Sequence, residues 1–581
     1  MALSRPVRFI LMFMTAAVVI FFLTGVVAAF LLTTRGPTVQ AGSLLWLRVP
    51  DNMVERAPDD LLGQLVGRRE TVGAVVETLR KAKVDARVEA VVLIPAMQPG
   101  LWGKVQEIRD AVLDFKTSGK PIVAYLEYGG GQQYYLATAC DQIFLTPTSP
   151  LDLVGVASYE LFFRGALDKV GAYPDMLHAG EFKTASNVYT ETTFTPEHRE
   201  MTESLNRDLY DQLVDGIAAG RTMTASAVEA LIDRGPFLPE EAVRHGLVDG
   251  LAYEDELTDR LALADSELKR LSYADYRRVN PRSLGLNRGP QIALVYAVGT
   301  ITFGGSGTDV TGSEVLGSET LVRAIRDART DDSIQAIIVR IDSPGGAAIA
   351  SDIIWRELTL ARDDKPIIAS MSDVAASGGY YIAMPAHAIV AQSATLTGSI
   401  GVVGGKFALG GTFEKIGLDI ETVADGKVAD INSPVAPYSD DARARLQQQI
   451  DAIYETFLDK AAQGRSMTRD AVHAVAQGRV WTGRQAKDLG LVDELGGLAR
   501  AVTLAKERAG IGADVEVTLV PYPRPRSLFE VVNSSLTVRS VAGGRAWLTS
   551  PIDHLLAAVT TPMRLFRPGE PLALMPLVYL N

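Results

Sequence analysis

The sequence contains one pattern twice, first over residues 87–250 and again over residues 333–494. RVEAVVLIPAMQPG (Arg87–Gly100) aligns with SIQAIIVRIDSPGG (Ser333–Gly346), and later segments match in the same order. The separation between matching segments stays between 244 and 246 residues throughout. A register this constant indicates a duplicated module, and a chain of 581 residues is long enough for more than one core.

Each copy alternates apolar strand-like runs with segments of helical spacing. In the second copy the pattern predicts these elements in order: helix Thr320–Ala328, strand Ala336–Ile341, helix Ala348–Ala361, strand Pro366–Met371 and helix Gly378–Met384. Pro196–Ala219 and Asp440–Gln463 have the spacing of long amphipathic helices. Strands that alternate with helices predict an α/β fold of βαβ units around a mostly parallel sheet.

The repeat and the composition shifts together predict five regions. They are a cytoplasmic stub with a transmembrane anchor (1–44), a first module (45–265), a linker (266–289), a second module (290–510) and a C-terminal tail (511–581). The sequence indicates no role for the tail.

The segment 9–32 carries no charge over 24 residues. A helix of that length spans roughly 36 Å, enough for the hydrocarbon core of a bilayer. Arg5 and Arg8 precede the segment, and this bias predicts a cytoplasmic N-terminus with the body of the protein outside. A cleaved signal peptide is the alternative, but the run is longer than a usual signal core and no small-residue cleavage site closes it.

Charge and cysteine content exclude two classes of function. The net charge of −12 argues against nucleic-acid binding, because neutralising phosphates requires a basic surface. Cys140 is the only cysteine, so neither an intramolecular disulfide nor a cysteine-based metal cluster can form.

Two glycine-rich turns of the second module follow predicted strands. The turn SPGG ends at Gly346 and exposes backbone N–H groups that could stabilise an acyl oxyanion. The turn ASGG places Ser377 at the start of a helix, beside the free N–H of Gly378. Ser377 is therefore a candidate nucleophile, although serine is also a common helix cap.

A nucleophilic serine needs a base, and histidine is the usual one. None of the six histidines lies in a turn typical of a catalytic loop, and His387 sits in an apolar stretch. Lysine is the alternative if desolvation lowers its pKa toward neutrality.

The motifs SPGG, ASGGYYIA and TLTGSIGV, with the duplication and the apolar N-terminal run, resemble the long bacterial form of the signal peptide peptidase A family, also called protease IV. The resemblance covers almost the whole chain and implies two tandem modules of the Clp-protease/crotonase type. It also implies a site assembled from both modules, with the serine in the second and a lysine in the first. The lysine motif corresponds to GEFKTAS here, with Phe and Thr replacing Tyr and Ser, which implies Lys183 as the base.

The repeat gives an independent test of this assignment. Ala429 occupies the position in the second module that matches Lys183, and Gly131 occupies the position in the first that matches Ser377. The first module therefore has the lysine but not the serine, and the second module has the serine but not the lysine. Short family members carry a lysine near this place of their single module, so Lys427 is a neighbouring candidate. A lone lysine is usually a solvated surface charge, and only the complementary pattern raises Lys183 above that expectation.

The resemblance implies further roles. Ser399 is expected to orient the lysine amine, although it could be an ordinary loop serine. The N–H groups of Gly346 and Gly378 are expected to form the oxyanion hole. The expected activity is endopeptidase cleavage of hydrophobic peptides such as cleaved signal peptides, without a metal or other cofactor. The expected setting is the bacterial inner membrane, with a single span, a periplasmic body and a homotetrameric assembly.

Two other functions remain open at this point. A crotonase-type enzyme acting on acyl-CoA would share the oxyanion turns, but would not explain an anchor or the divided Ser/Lys pattern. A non-catalytic membrane scaffold would not need the complete set of candidate residues.

Overall fold

The computed structural model describes residues 37–51, 53–56, 70–97, 100–261, 268–309, 313–524, 570–576 and 579–580, together with Met14, Ile20, Phe21 and Thr24. Within these residues no helix is both long and apolar enough to cross a membrane. The predicted span 9–32 lies outside the described residues, apart from those four isolated positions.

The first module is built on a parallel sheet. Among the described residues it has six strands, in the spatial order Lys269–Ser272, Ser43–Val49, Val88–Pro95, Ile122–Leu126, Gln142–Leu145 and Gly250–Leu251. Its longer helices are Val72–Val84, Gly103–Lys116, Pro196–Arg221 and Ala225–Ile232. The strand at one edge, Lys269–Ser272, belongs to the region predicted as a linker.

The second module repeats this arrangement. Its main sheet runs, in spatial order, Val480–Thr482, Leu396–Gly398, Ile367–Ala376, Ile334–Ser343, Gln291–Val298 and Thr518–Tyr522. The last of these strands comes from the region predicted as the C-terminal tail. A side branch, Ala388–Ala391 with Glu494–Leu495, pairs with Ile367–Ala376. Its main helices are Ser318–Thr330, Ala348–Asp364, Gly378–Ala383, Asp440–Arg465, Arg469–Val475 and Leu498–Arg508. The α/β class is thus confirmed, and each module packs its own large apolar core.

One predicted strand is longer than its apolar run. The pattern stops at Met371, whereas the strand continues to Ala376 through Ser372 and Asp373, with every residue buried. Buried polar groups are stable in a strand only when they have partners. Ser372 and Asp373 find theirs on the first module, where Ser372 Oγ donates to Glu55 and Asp373 accepts from the Lys104 amide.

A third sheet, here called the shared sheet, contains strands of both modules and of the C-terminal tail. Its strands in spatial order are Gly307–Thr308, Glu314–Gly317, Thr300–Thr302, Gly345–Ala347, Leu572–Leu574, Val402–Ala408 and Tyr173–Ala179. Tyr173–Ala179, from the first module, pairs antiparallel with Val402–Ala408 over seven residues. The shared sheet therefore fixes the two modules relative to each other.

A buried ionic network also joins the modules. Lys104 Nζ lies 2.6 Å from a carboxylate oxygen of both Asp342 and Asp373. Burial alone lowers the pKa of Lys104, but the charges of Asp342 and Asp373 outweigh it and raise that pKa. Nearby, the buried Arg340 guanidinium bridges Glu55 and Glu107 of the first module. Asp342 and Asp373 precede the two glycine-rich turns, so this network holds both turns against the first module.

We expect Lys104→Met to lower the unfolding temperature, because it leaves two largely buried carboxylates without their cation. Breaking a buried ion pair by removing one partner typically costs about 3–5 kcal/mol. Scanning calorimetry measures the change, with Lys427→Met as the control, since Lys427 is exposed. An equal fall in the unfolding temperature of the two variants would contradict a role for the network in stability.

Candidate active site

Ser377 lies between the strand Ile367–Ala376 and the helix Gly378–Ala383. Its backbone has φ +55° and ψ −111°, a conformation that residues with a Cβ rarely adopt. The turn is held on both sides: the Ser377 amide donates to the Gly398 carbonyl at 2.8 Å, and the Ser377 carbonyl accepts from the Tyr381 amide at 2.8 Å. The turn thereby fixes the position of the Ser377 Oγ atom at the end of the sheet.

Lys183 lies in a tight turn of the first module that packs on the loop Gln477–Gly478 of the second. The Phe182 amide donates to the Gln477 carbonyl at 2.8 Å. Gly478 has φ +81°, and a Cβ on it would lie 2.6 Å from the Cβ of Lys183. Only glycine permits this approach, which brings the lysine side chain into the second module.

The two modules bring Lys183, Ser377 and Ser399 together, and all three are fully buried. Lys183 Nζ lies 2.7 Å from Ser377 Oγ. It lies 2.8 Å from the Ser399 carbonyl oxygen and 2.9 Å from Ser399 Oγ. A neutral amine has two N–H groups and one lone pair, so it can donate to both Ser399 oxygens and still accept from the Ser377 hydroxyl.

Burial lowers the pKa of Lys183 well below its ordinary value. Desolvation disfavours the ammonium form, and it is the cause of the shift. The contrast with Lys104 is direct, because two carboxylates surround Lys104 and keep it charged. Of these two lysines, only Lys183 is in a setting that favours the neutral amine.

The expected oxyanion glycines lie on adjacent turns next to Ser377. Gly378 directly follows the serine, and Gly346 lies in the strand Gly345–Ala347 of the shared sheet. The Gly378 amide nitrogen lies 2.7 Å from the position that a Cβ on Gly345 would take. The two turns are thus in direct contact, and a side chain on Gly345 would obstruct the space between them.

The remaining candidates lie elsewhere or have structural partners. Lys427 is exposed on the surface. His387 Nδ1 accepts from the Ile367 amide at 3.0 Å, which is a structural contact. Sequence reasoning missed Gly478 and Lys104, which position the site, and it assigned no role to the tail. Gly478 itself was the available signal, since glycine often marks a turn.

The model of peptidase family S49 matches the chain twice, over residues 114–269 and 359–512. The chloroplastic serine protease SPPA of Arabidopsis thaliana is 39% identical over 487 residues, which cover 82% of this chain and 72% of that protein. Protease 4 of Salmonella typhi is 32% identical over 504 residues, covering 83% of this chain and 78% of its own. The solved 1510-N membrane-bound stomatin-specific protease, at 14% identity, covers 43% of this chain and 99% of its own with a TM-score of 0.26.

The fold, the buried serine and the relatives define the class of the protein as a serine peptidase. The chain belongs to peptidase family S49, which matches both of its modules. This membership confirms the family resemblance that the motifs and the duplication indicated.

We expect the stability of the wild type relative to Lys183→Met to rise with pH. Burial lowers the pKa of Lys183 in the native state, so the native amine loses its proton at a lower pH than the unfolded lysine, which binds a proton below about pH 10.4. Above the lowered native pKa, unfolding therefore takes up a proton, and the free energy of unfolding gains up to about 1.4 kcal/mol per pH unit.

Denaturant unfolding of both proteins at roughly pH 6 to 9 measures this difference. Lys427→Met, which removes an exposed lysine, serves as the matched control. If the difference in the free energy of unfolding between the wild type and Lys183→Met does not change with pH, the native amine is charged.

Proposed function

We propose that the chain is a membrane-anchored endopeptidase that uses Ser377 as nucleophile and Lys183 as general base. The observation that supports this most is the 2.7 Å approach of a buried lysine amine to the serine hydroxyl. Lys183 and Ser377 belong to different modules and lie far apart in the sequence, so only the folded structure brings them together. The complementary losses in the repeat support the same pairing.

In the proposed reaction the neutral Lys183 amine takes the proton of Ser377 Oγ while Oγ bonds to the carbonyl carbon of the peptide. The N–H groups of Gly346 and Gly378 donate to the oxyanion that forms. The Lys183 ammonium then protonates the leaving amine as the peptide bond breaks. A water molecule attacks the acyl-enzyme with Lys183 again as base, which releases the carboxylic acid and restores Ser377. Hydrogen bonds to the two oxygens of Ser399 keep the Lys183 amine oriented toward Ser377 Oγ.

The proposed substrates are hydrophobic peptides, such as signal peptides left in the membrane after cleavage. The proposed setting is the bacterial inner membrane, with segment 9–32 as a single span and the body on the periplasmic side. Arg5 and Arg8 support this orientation. A homotetramer is the proposed assembly, on family resemblance alone, and light scattering of the purified protein measures it.

We expect Ser377→Ala and Lys183→Arg each to reduce peptide hydrolysis by at least about 10³. Alanine keeps the Cβ, so it shares the backbone strain of Ser377 and should leave the unfolding temperature unchanged. Arginine keeps the charge but does not deprotonate, so it cannot act as a base. Hydrolysis of a fluorogenic apolar peptide across roughly pH 6–10 measures the loss.

Lys427→Ala is the control and should retain most of the activity, because Lys427 is exposed. In the wild type the rate should rise with pH through the lowered pKa of Lys183, since only the neutral amine accepts a proton. Normal hydrolysis by Lys183→Arg together with loss in Lys427→Ala would place the base in the second module. Labelling of Ser377 by a serine-directed phosphonate separates this mechanism from acyl-CoA chemistry.

We expect deletion of residues 1–36 to move the protein from the membrane pellet to the soluble fraction after cell lysis. The deleted residues contain the uncharged segment 9–32, whose apolar side chains would hold the protein in the bilayer. Peptidase activity of the soluble fraction shows that the body is folded. An active, truncated protein that stays in the pellet would contradict anchoring through this segment.

A further inference from the structure

A short piece of the C-terminal tail, here called the tail strand (Leu572–Leu574), lies against the glycine turn of the site. It pairs antiparallel with Gly345–Ala347 on one side and contacts Val402–Ala408 on the other. The Pro571 carbonyl accepts from the Ala348 amide at 3.2 Å, and the Met575 amide donates to the Pro344 carbonyl at 2.9 Å. The chain from 571 to 575 is thus bound as an extended peptide beside Ser377.

The register places one carbonyl of the tail strand at the expected oxyanion turn. Hydrogen-bonded pairs recur at every second residue of an antiparallel ladder. The contacts of Pro571 and Met575 therefore make Ala573 and Gly346 a hydrogen-bonded pair, in which the Gly346 N–H faces the Ala573 carbonyl oxygen. The same oxygen lies 3.2 Å from the position that a Cβ on Gly378 would take. The Ala573 carbonyl oxygen therefore lies beside both of the glycines that are expected to form the oxyanion hole.

The side chains of this segment fill apolar surfaces that both modules form. Leu572 and Leu574 pack with Ala185 and Val188, which follow Lys183 in the first module. Met575 packs in a separate cluster with Met201 and Leu205. The side chains of Leu572, Leu574 and Met575 are all buried. The contacts are those of a peptide with apolar side chains, held by backbone pairing and by pockets on two sides.

We propose that Glu570–Pro576 is a resident pseudosubstrate, which occupies the peptide groove and must leave before a substrate binds. This inference deepens the proposed function and rests on it. Binding by strand addition is reversible, because it uses only backbone hydrogen bonds and a few apolar contacts. The covalent link to the body keeps the segment at a high effective concentration near the groove. The tail then acts as a competitive inhibitor within the same chain.

A resident competitor raises the apparent KM and leaves kcat unchanged at saturating substrate. The apparent KM rises by a factor equal to the inverse of the fraction of time that the groove is free. If the groove is free for a tenth of the time, the apparent KM is about tenfold higher than it would be without the tail. Weakening the tail should therefore lower KM without changing kcat. A strand that only supports the fold would not produce this separation.

The test uses the full-length protein with Leu572→Asp and Leu574→Asp combined, which puts two carboxylates into an apolar pocket. We expect KM for a fluorogenic peptide to fall several-fold at unchanged kcat, and a serine-directed phosphonate to label Ser377 faster. The matched control is Val423→Asp, which adds the same type of charge at a side chain that is 97% exposed. This control should have the kinetics of the wild type.

A synthetic peptide with the sequence of residues 570–576 provides the second measurement. We expect it to inhibit the double Asp variant competitively and the wild type only weakly, because the wild-type groove already holds that sequence. An unchanged or higher KM in the double Asp variant, or a loss of kcat, would make the tail a structural part of the site and overturn the proposal. Cleavage of the tail after Ala573 in the wild type but not in Ser377→Ala, seen by intact mass, would overturn it by making the segment a substrate.

Failure of this inference and failure of the proposed function give different results. Binding of the labelled peptide to the double Asp variant in the Ser377→Ala background, followed by fluorescence anisotropy, requires no catalysis. If the labelled peptide binds but no protein that contains Ser377 hydrolyses peptides, the proposed function is contradicted and the assignment of the groove is retained. If peptides are hydrolysed but the labelled peptide neither binds nor competes, the pseudosubstrate proposal is contradicted and the peptidase function is retained.

Discussion

The chemistry proposed for this protein depends on the removal of one lysine amine from water. Lys183 is fully buried, its Nζ contacts the hydroxyl of Ser377, and desolvation lowers its pKa. Each pKa unit corresponds to about 1.4 kcal/mol that other interactions must offset. The packing of the modules supplies that stabilisation, through the shared sheet and the ionic network around Lys104. The same contacts that stabilise the fold therefore favour the neutral form of the amine.

The division of the site between the duplicated modules follows from this constraint. Lys183 enters the second module only because its turn packs on Gly478, and Ser399 accepts from its amine there. In an isolated first module the amine would meet water and keep an ordinary pKa. The proposed base and the proposed nucleophile are thus brought together only when both modules are folded and joined. Activity is coupled in this way to the assembly of the complete chain.

Much of this could be predicted from the sequence, because duplication makes one copy a control for the other. The βαβ order and the turn at Ser377 are visible in the two aligned copies. Lys183 was assigned by the family resemblance of GEFKTAS, and the aligned copies support that assignment because Ala429 occupies the matching position. The extension of the strand through Ser372 and Asp373 is not, since its polar residues are stabilised by partners far away in the chain. The tail strand is also invisible, because three residues carry no periodicity. Its position depends on long-range backbone pairing.

The tail strand also solves a problem that any peptide groove of this kind has. Gly345–Ala347 and Val402–Ala408 both face it, and without it each would be an edge with unpaired backbone groups. Such edges bind any extended chain that reaches them, including a second copy of the same protein. Leu572 and Leu574 would leave their apolar pocket at the same time, which costs about 25 cal/mol for each Å² exposed. If this groove binds apolar peptides, as proposed, it is therefore most stable when it is already filled. Under the proposed pseudosubstrate role, selectivity depends on how well a substrate competes with the chain's own sequence.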